Sequence, residues 1–274
     1  MKKRIICVLL AVFCVLCSSS CSNSKLKALD ELMGEHNGVS YKLVEDAEKY
    51  NFTSDVFTET TESGVHANVK AIVGGKVVSA DEIEVSMQMP MTETIPAEES
   101  ESGEIEERTV YYPVTAYIRL LTFKPSKVYY DADKSIKANN DIRILMRVSS
   151  RMWDSEAIPL FEGDECVLYL ESSEAENDIM QIKKLGFADY ILYDSRNGVI
   201  KKTKDGYIFS DVQEFLSRSG KKISASESDY EKLSENEKKC YKDASDYVKV
   251  MKKMYFAKSV EDGIKNNVEF YLEH

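Results

Sequence analysis

The chain has 274 residues and a formal net charge of -11 at pH 7, with 47 acidic against 36 basic residues. A surface this acidic repels phosphate backbones and anionic lipid headgroups, which excludes nucleic acid as an expected partner and polybasic docking to a membrane. The length allows one large domain or two small ones, with a sizeable core.

The first two dozen residues have the pattern of a secretory signal. A basic head, Lys2-Lys3-Arg4, precedes an apolar run from Ile5 to Leu16, and Ser18-Ser19-Ser20 then lead to Cys21. The apolar run is shorter than the ~20 residues that a membrane-spanning helix needs. Small residues directly before a cysteine predict a signal peptide over residues 1–20, removed by cleavage, and lipidation of Cys21.

This segment resembles a bacterial lipobox, from which it departs at Ser18, where a leucine is usual. The resemblance implies a palmitate-type lipoprotein, held by acyl chains on the outer face of the cell membrane. Several acyl chains, at ~0.8 kcal/mol per buried methylene, would make that attachment stable. Two alternatives are ordinary secretion with cleavage near Ser20 or Ser22, and an uncleaved anchor, which the short apolar run disfavours.

Residues 21–64 are predicted to form a tether with short helices. A helix-compatible stretch runs from Lys25 to about Glu35 and ends at Gly34 or at the turn His36-Asn37-Gly38. Two further helical pieces are predicted, over residues 43–50 and 54–61.

The period of a β-sheet begins near residue 65 and continues to residue 210. Gly74-Gly75 marks a bulge or a sharp bend in the first strand. Apolar residues then alternate from Val110 to Leu120 and from Ile142 to Val148, which predicts strands with one buried and one solvated face. Further strands are predicted over residues 166–170, 179–182, 190–193, 199–201 and 207–209. Turns between strands, without helix–strand alternation, favour an antiparallel barrel or sandwich.

Residues 92–108 lie between the first two long strands and contain seven glutamates, Pro96 and Gly103. No hydrophobic period is present there. We expect a solvated acidic loop at the tip of a long hairpin.

Residues 211–274 are predicted to be helical. Apolar and aromatic residues recur every three or four positions from Tyr230 to Tyr255, which indicates one helix or a broken pair. A final amphipathic helix carries Val260, Ile264, Val268 and Tyr271. This segment could pack on the sheet or offer a surface to a partner.

Catalytic and metal-binding motifs are missing from the sequence. Neither internal histidine, His36 or His66, lies in a nucleophile or zinc motif. The stretch from Asp131 has the opening spacing of a calcium loop, but Ile136 replaces the required glycine and Ile142 the closing glutamate. We therefore predict no enzyme activity, no cofactor and no metal.

Two patterns of sulfur-containing residues have structural interpretations. Met87, Met89 and Met91 alternate along a strand, but no histidine or cysteine lies near them to complete a copper site, so they are expected to pack. Cys166 and Cys240 remain in the body of the protein, and we predict two buried free thiols rather than a disulfide.

The middle of the chain resembles uncharacterised lipoproteins of Gram-positive bacteria, including clostridial ones. The resemblance covers residues 65–210 and rests on four segments: Val69 to Ser79, Tyr112 to Phe123, Asp141 to Val148 and Phe161 to Leu170. It implies an α+β fold in which a five-stranded, antiparallel OB-like barrel lies between the short N-terminal helices and the C-terminal helical segment. No catalytic residue is implied by it.

Together these patterns predict a non-catalytic binding or interaction module, lipid-anchored at the cell surface, whose partner is another envelope protein or a glycan. The alternative is an oligosaccharide- or peptide-binding lipoprotein that uses an aromatic barrel face near Tyr111, Tyr129 and Trp153. An unrecognised hydrolase is a third interpretation, which the shortage of histidines disfavours.

Overall fold

The computed structural model describes residues 28–44, 69–95, 105–146, 158–172, 182–193, 198–210 and 220–273. Cys21, His66 and Trp153 lie outside the described residues, as do the predicted helix over residues 54–61 and most of the one over residues 43–50.

The described residues form eleven strands, all in one sheet, and six helices. The strands are β1 (Gly34–His36), β2 (Val39–Leu43), β3 (Ala71–Ile95), β4 (Glu106–Asp131), β5 (Ile142–Met146), β6 (Glu165–Ser172), β7 (Tyr190–Leu192), β8 (Val199–Lys202), β9 (Tyr207–Ser210), β10 (Lys221–Lys222) and β11 (Met254–Ala257). The helices are α1 (Leu29–Leu32), α2 (Ile182–Leu185), α3 (Glu227–Tyr230), α4 (Glu235–Lys238), α5 (Ala244–Met251) and α6 (Glu261–Glu273).

The sheet has the order β1-β2-β3-β4-β5-β7-β6-β8-β9-β11-β10, and β3 also pairs with β6. Every pairing is antiparallel except that of β5 with β7. The contacts of β3, β4, β5, β7 and β6 therefore follow one another in a closed ring. An α+β fold with a sheet-rich core is confirmed. An OB-like barrel is not confirmed, because β5 and β7 meet only at Ile144 with Tyr190 and at Leu145 with Ile191.

The bend in β3 lets one strand serve two neighbours on the same edge. Its first part pairs with β6 and its middle part with β2. The register with β4 shifts between Gly74 and Gly75, as the glycine pair predicts. A Cβ at Gly75 would lie 2.2 Å from the backbone oxygen of Lys124, so the two strands approach more closely than a side chain allows.

Three apolar clusters form the core. The first fills the ring and reaches α5: its members include Val73, Leu121, Ile144, Leu168, Cys240 and Val250. The second joins α1 and β2 to the middle of the long hairpin: Leu32, Tyr41, Ile83, Val85, Ile118 and Phe187. The third lies between the sheet and α6: Ile72, Tyr169, Phe209, Val260 and Ile264. The predicted final amphipathic helix is confirmed, since Ile264 is buried and Val268 and Tyr271 pack on this third cluster.

The N-terminal helix predicted from Lys25 to about Glu35 is present but shorter in the part of the chain that the structure describes. The helix α1 has only four residues, and the chain then forms the hairpin of β1 with β2. His36 pairs with Val39, which leaves Asn37 and Gly38 as a two-residue turn with φ angles of 51° and 80°. Positive φ at both positions is what a type I′ hairpin turn requires.

Three other segments also differ from their predictions. The acidic loop is shorter than residues 92–108, because β3 continues to Ile95 and β4 starts at Glu106. Ile182, predicted as the end of a strand, begins α2. The C-terminal segment is not purely helical, since Met254–Ala257 forms β11. This strand adds to the sheet at the edge of β9.

Candidate functional site

The outer end of the β3–β4 hairpin is a two-stranded ribbon. Pairing of β3 with β2 ends at Met87, and pairing of β4 with β5 begins at Arg119. Beyond these points residues 88–95 and 106–113 pair only with each other. We call this ribbon the arm. Eight residues at ~3.3 Å each give it a length of roughly 26 Å.

The register of the arm separates its side chains into two faces. Met89 lies opposite Tyr112, and Met91 opposite Val110. Because side chains alternate along a strand, these residues share one face with their neighbours two positions away. We call this the Met face, formed by Met87, Met89, Met91, Val110, Tyr112 and Val114. The opposite face carries Gln88, Pro90, Thr92, Thr109, Tyr111 and Pro113.

The Met face continues the second core cluster into solvent. Ile83 and Val85 lie on the same face of β3 and are fully buried, and Met87 packs against that cluster. Two positions further on, Met89 is 37% exposed, and Met91 is 53% exposed. Of the eight exposed large apolar side chains among the described residues, four lie on the arm and Ile105 directly precedes its second strand. Such a concentration is typical of an interaction surface.

A polar group closes the outer end of the Met face. The Arg108 guanidinium donates to Oε2 of Glu93 from Nε at 3.2 Å and from Nη2 at 3.0 Å. The Tyr112 hydroxyl donates to the other oxygen of the same carboxylate. The hydrogen bond from Tyr112, followed by those from Arg108, lowers the pKa of Glu93, and the same bond to Glu93 raises the pKa of Tyr112. Glu93 is thus an ionised acceptor that holds the ends of both strands in register.

Each open edge of the arm carries a proline. The ladder of β3 with β4 continues through Pro90 and Pro113. Since proline has no N–H, its nitrogen must face away from the partner strand, toward the open edge. Each edge therefore lacks one outward donor in the inner half of the arm, at its base for Pro113 and two positions further out for Pro90, which disfavours the addition of another strand there.

Two opposite charges are buried where the ladder enters the body of the protein. Glu82 and Arg119 are direct partners in register and are only 7% and 6% exposed. The Arg119 guanidinium carbon lies 5.3 Å from the centre of the Phe161 ring, and Lys201 Nζ lies 5.5 Å from that centre. Lys201 in turn pairs with Asp164 at 2.8 Å. The ladder thus places a buried carboxylate directly opposite a buried guanidinium at the base of the long hairpin.

The structure places the predicted aromatic residues apart. Tyr111 is 64% exposed on the arm. Tyr129 lies eighteen positions further along β4, a path of roughly 60 Å at ~3.3 Å per residue. Its hydroxyl donates to Oε1 of Glu261 at 3.1 Å, while Lys127 Nζ lies 2.7 Å from Oε2 of the same carboxylate. Tyr129 thus attaches the start of α6 to β4. It does not share a site with Tyr111.

Other residues considered from the sequence have structural roles. His36 Nε2 lies 3.2 Å from the backbone oxygen of Leu32. The Asp131 carboxylate accepts from the backbone N–H groups of Asp133 and Ile136, which fixes the loop after β4. Cys166 and Cys240 are free and buried, as predicted. Burial raises the pKa of the Cys240 thiol to about 12, which leaves it protonated.

No grouping of three or more metal-ligating side chains occurs in the part of the chain that the structure describes. Over the same residues, no helix is long and apolar enough to cross a bilayer.

The arm was not singled out from the sequence. The alternation of Met87, Met89 and Met91 predicts packed side chains, whereas Met89 and Met91 are exposed in the structure. One sequence signal could have indicated the arm. Glu93 and Arg108 have opposite charges and stand equally far from the middle of the loop between Ile95 and Glu106, as partners in a hairpin do. No family model, curated protein or solved structure matches the chain.

Proposed function

We propose that this chain is a lipid-anchored, non-catalytic interaction protein of the cell surface, and that the arm is its contact surface for another envelope protein. The observation that carries the proposal is the Met face, an apolar stripe that continues from the core onto a two-stranded ribbon. Methionine is flexible and polarizable, so a methionine-rich surface adapts to a partner's shape. Burying such a stripe contributes about 25 cal/mol per Å² of apolar area, which favours a bound state.

The anchor in this proposal is Cys21, on the outer face of the membrane. It can be tested by mass spectrometry of the mature protein. We expect an N-terminal Cys21 carrying acyl groups, and release of a Cys21→Ser form from the membrane fraction. An unmodified N-terminus beyond Cys21 would contradict the anchor.

Site-specific photocrosslinking in intact envelopes tests the contact surface. A photoreactive residue replaces Met91 on the Met face or, as the matched control, Leu272 near the end of α6, which is 72% exposed. We expect one discrete protein adduct from position 91 and none of that mass from position 272. Equal adducts from both positions, or none from position 91, would contradict a contact surface on the arm.

We further infer that the ring of β3, β4, β5, β7 and β6 is an OB-like barrel. Three consecutive antiparallel strands, a parallel contact of β5 with β7, and closure of β6 onto β3 support this inference. OB folds are partly open five-stranded barrels, so a short seam between two strands is compatible with them. In this interpretation the arm is an extension of the first hairpin of the barrel.

Glycan binding is a second candidate, favoured by Tyr111. Its exposed ring lies between Pro90 and Pro113 on the face opposite the Met face, where it could stack on a sugar. The test is titration with envelope oligosaccharides, which should perturb Tyr111 resonances and lose effect in Tyr111→Ala. Binding that is unchanged in this variant would exclude the site.

A further inference from the structure

We propose that the Met face binds a cationic amphipathic helix of a protein partner; this rests on the proposed contact role of the arm. Two modes are available to a ribbon: addition of a strand to an edge, or packing of an element on a face. Pro90 and Pro113 remove an outward donor from each open edge, which disfavours strand addition. Face packing is the mode that remains.

The dimensions of the Met face suit a helix. From Met87 to Glu93 the stripe is six residues long, about 20 Å at ~3.3 Å per residue. A helix covers that length with about 13 residues at 1.5 Å each. Two strands about 4.8 Å apart, with their side chains, present a band comparable with the apolar stripe of one helix.

Charge decides which helix fits. Asp30 and Glu31 are exposed on α1, whose neighbours Leu29 and Met33 pack on the same core cluster as Met87 at the base of the Met face. The chain as a whole is acidic as well, with 47 acidic against 36 basic residues. A helix with an apolar stripe and basic flanks matches this distribution.

The same charge disfavours the other occupants. A second copy of the chain would bring another net charge of -11 to the contact, and an anionic lipid surface would be repelled as well. A protein segment with lysine or arginine beside an apolar stripe meets no such repulsion.

Peptide binding to the purified Cys21→Ser chain tests the proposal. The probes are two labelled 18-residue helices with the same leucine stripe, one flanked by lysines and the other by glutamates. We expect the lysine helix to bind with a micromolar Kd that weakens with added salt, and the glutamate helix to bind at least tenfold more weakly. Equal binding of the two helices, or no binding of the lysine helix, would overturn the proposal.

Two charge-matched double variants assign the binding to one face. Met89→Lys with Met91→Lys places two cations on the Met face, and Gln88→Lys with Thr92→Lys places two cations on the opposite face. We expect at least a tenfold loss of affinity from the first pair and less than a threefold loss from the second. Equal losses would overturn the proposal, because the peptide would then respond only to overall charge.

An uncharged variant checks that the loss of affinity comes neither from misfolding nor from added charge. Met89→Ser with Met91→Ser keeps the charge and should lower the affinity at least fivefold, while thermal unfolding confirms the fold. Unchanged affinity in this variant would also overturn the proposal. If the peptides fail while position 91 still crosslinks to an envelope protein, the contact role of the arm stands and only the cationic helix is excluded.

Discussion

At the scale of single residues, the arm depends on a few polar groups that hold its strands together where no third strand supports them. Glu93 accepts from both Arg108 and Tyr112, so one carboxylate links Tyr112 of the Met face to an arginine at the outer end of that face. Because Tyr112 is also part of the apolar stripe, its hydroxyl fixes the direction of a ring that we propose to be in contact with a partner.

Tyr112→Phe removes the largest cause of the lowered pKa of Glu93. We expect that pKa to rise toward its ordinary value of 4.5, measured by NMR titration of the carboxyl carbon. A folded pKa below the unfolded one stabilises the native state above about pH 4.5, and this contribution is lost as the pH falls through the folded pKa. Order at the arm's tip should therefore decrease at a higher pH in Tyr112→Phe than in the wild type.

Tyr111→Phe is the matched control, since Tyr111 lies on the opposite face. It should leave the titration of Glu93 unchanged. An equal shift in both variants would show that the Tyr112 hydroxyl is not responsible.

At the scale of elements, β3 and β4 are far longer than the 3 to 10 residues of ordinary strands, and their register has to be fixed over the whole ladder. A slip by one residue would transfer the Met face to the other side of the ribbon. We infer that the buried pair of Glu82 and Arg119 opposes such a slip, because a shift by one residue in either direction would bury the Glu82 carboxylate opposite Ile118 or Leu120.

Arg119→Met removes one partner of this pair and leaves a buried carboxylate. We expect the free energy of unfolding to fall by about 3–5 kcal/mol in urea denaturation. Adding Glu82→Leu should recover most of the loss, since buried ion pairs can often be replaced by apolar residues of similar volume. A double variant no more stable than Arg119→Met would contradict coupling between the two residues.

The strands that sequence predicted best are those whose pattern is local. The alternation in β4 and β5 and the bulge at the glycine pair in β3 both follow from neighbouring residues. By contrast, Met254–Ala257 lies within a helical spacing and becomes a strand only because β9 offers an edge. The exposure of Met89 and Met91 could not be predicted from the sequence either, because alternation does not indicate where the neighbouring strands of a sheet end.

At the scale of the whole molecule, one bent strand connects the ring, the N-terminal hairpin and the arm. The bend at Gly75 lets β3 pair first with β6 and then with β2. The Lys124 backbone oxygen would lie 2.2 Å from a Cβ at this position, so the close crossing of β3 and β4 needs a glycine.

Gly75→Ala should therefore affect the whole molecule. We expect a loss of about 1–3 kcal/mol or more in the free energy of unfolding, because the clash is with backbone that cannot rotate away. Gly74→Ala is the matched control: its Cβ would meet the Tyr129 ring at 3.1 Å, and a side chain can shift. Equal stability of the two variants would show that the crossing tolerates a methyl group.

The two prolines of the arm affect how neighbouring copies of the chain interact when they are concentrated. Lipid-anchored chains on one membrane would be concentrated in two dimensions, and a long ribbon with open edges is a template for cross-β aggregation. Pro90 and Pro113 interrupt the donors on both edges. Polymerisation through the strand edges is therefore disfavoured in the inner half of the arm, next to the apolar surface that we propose as the contact.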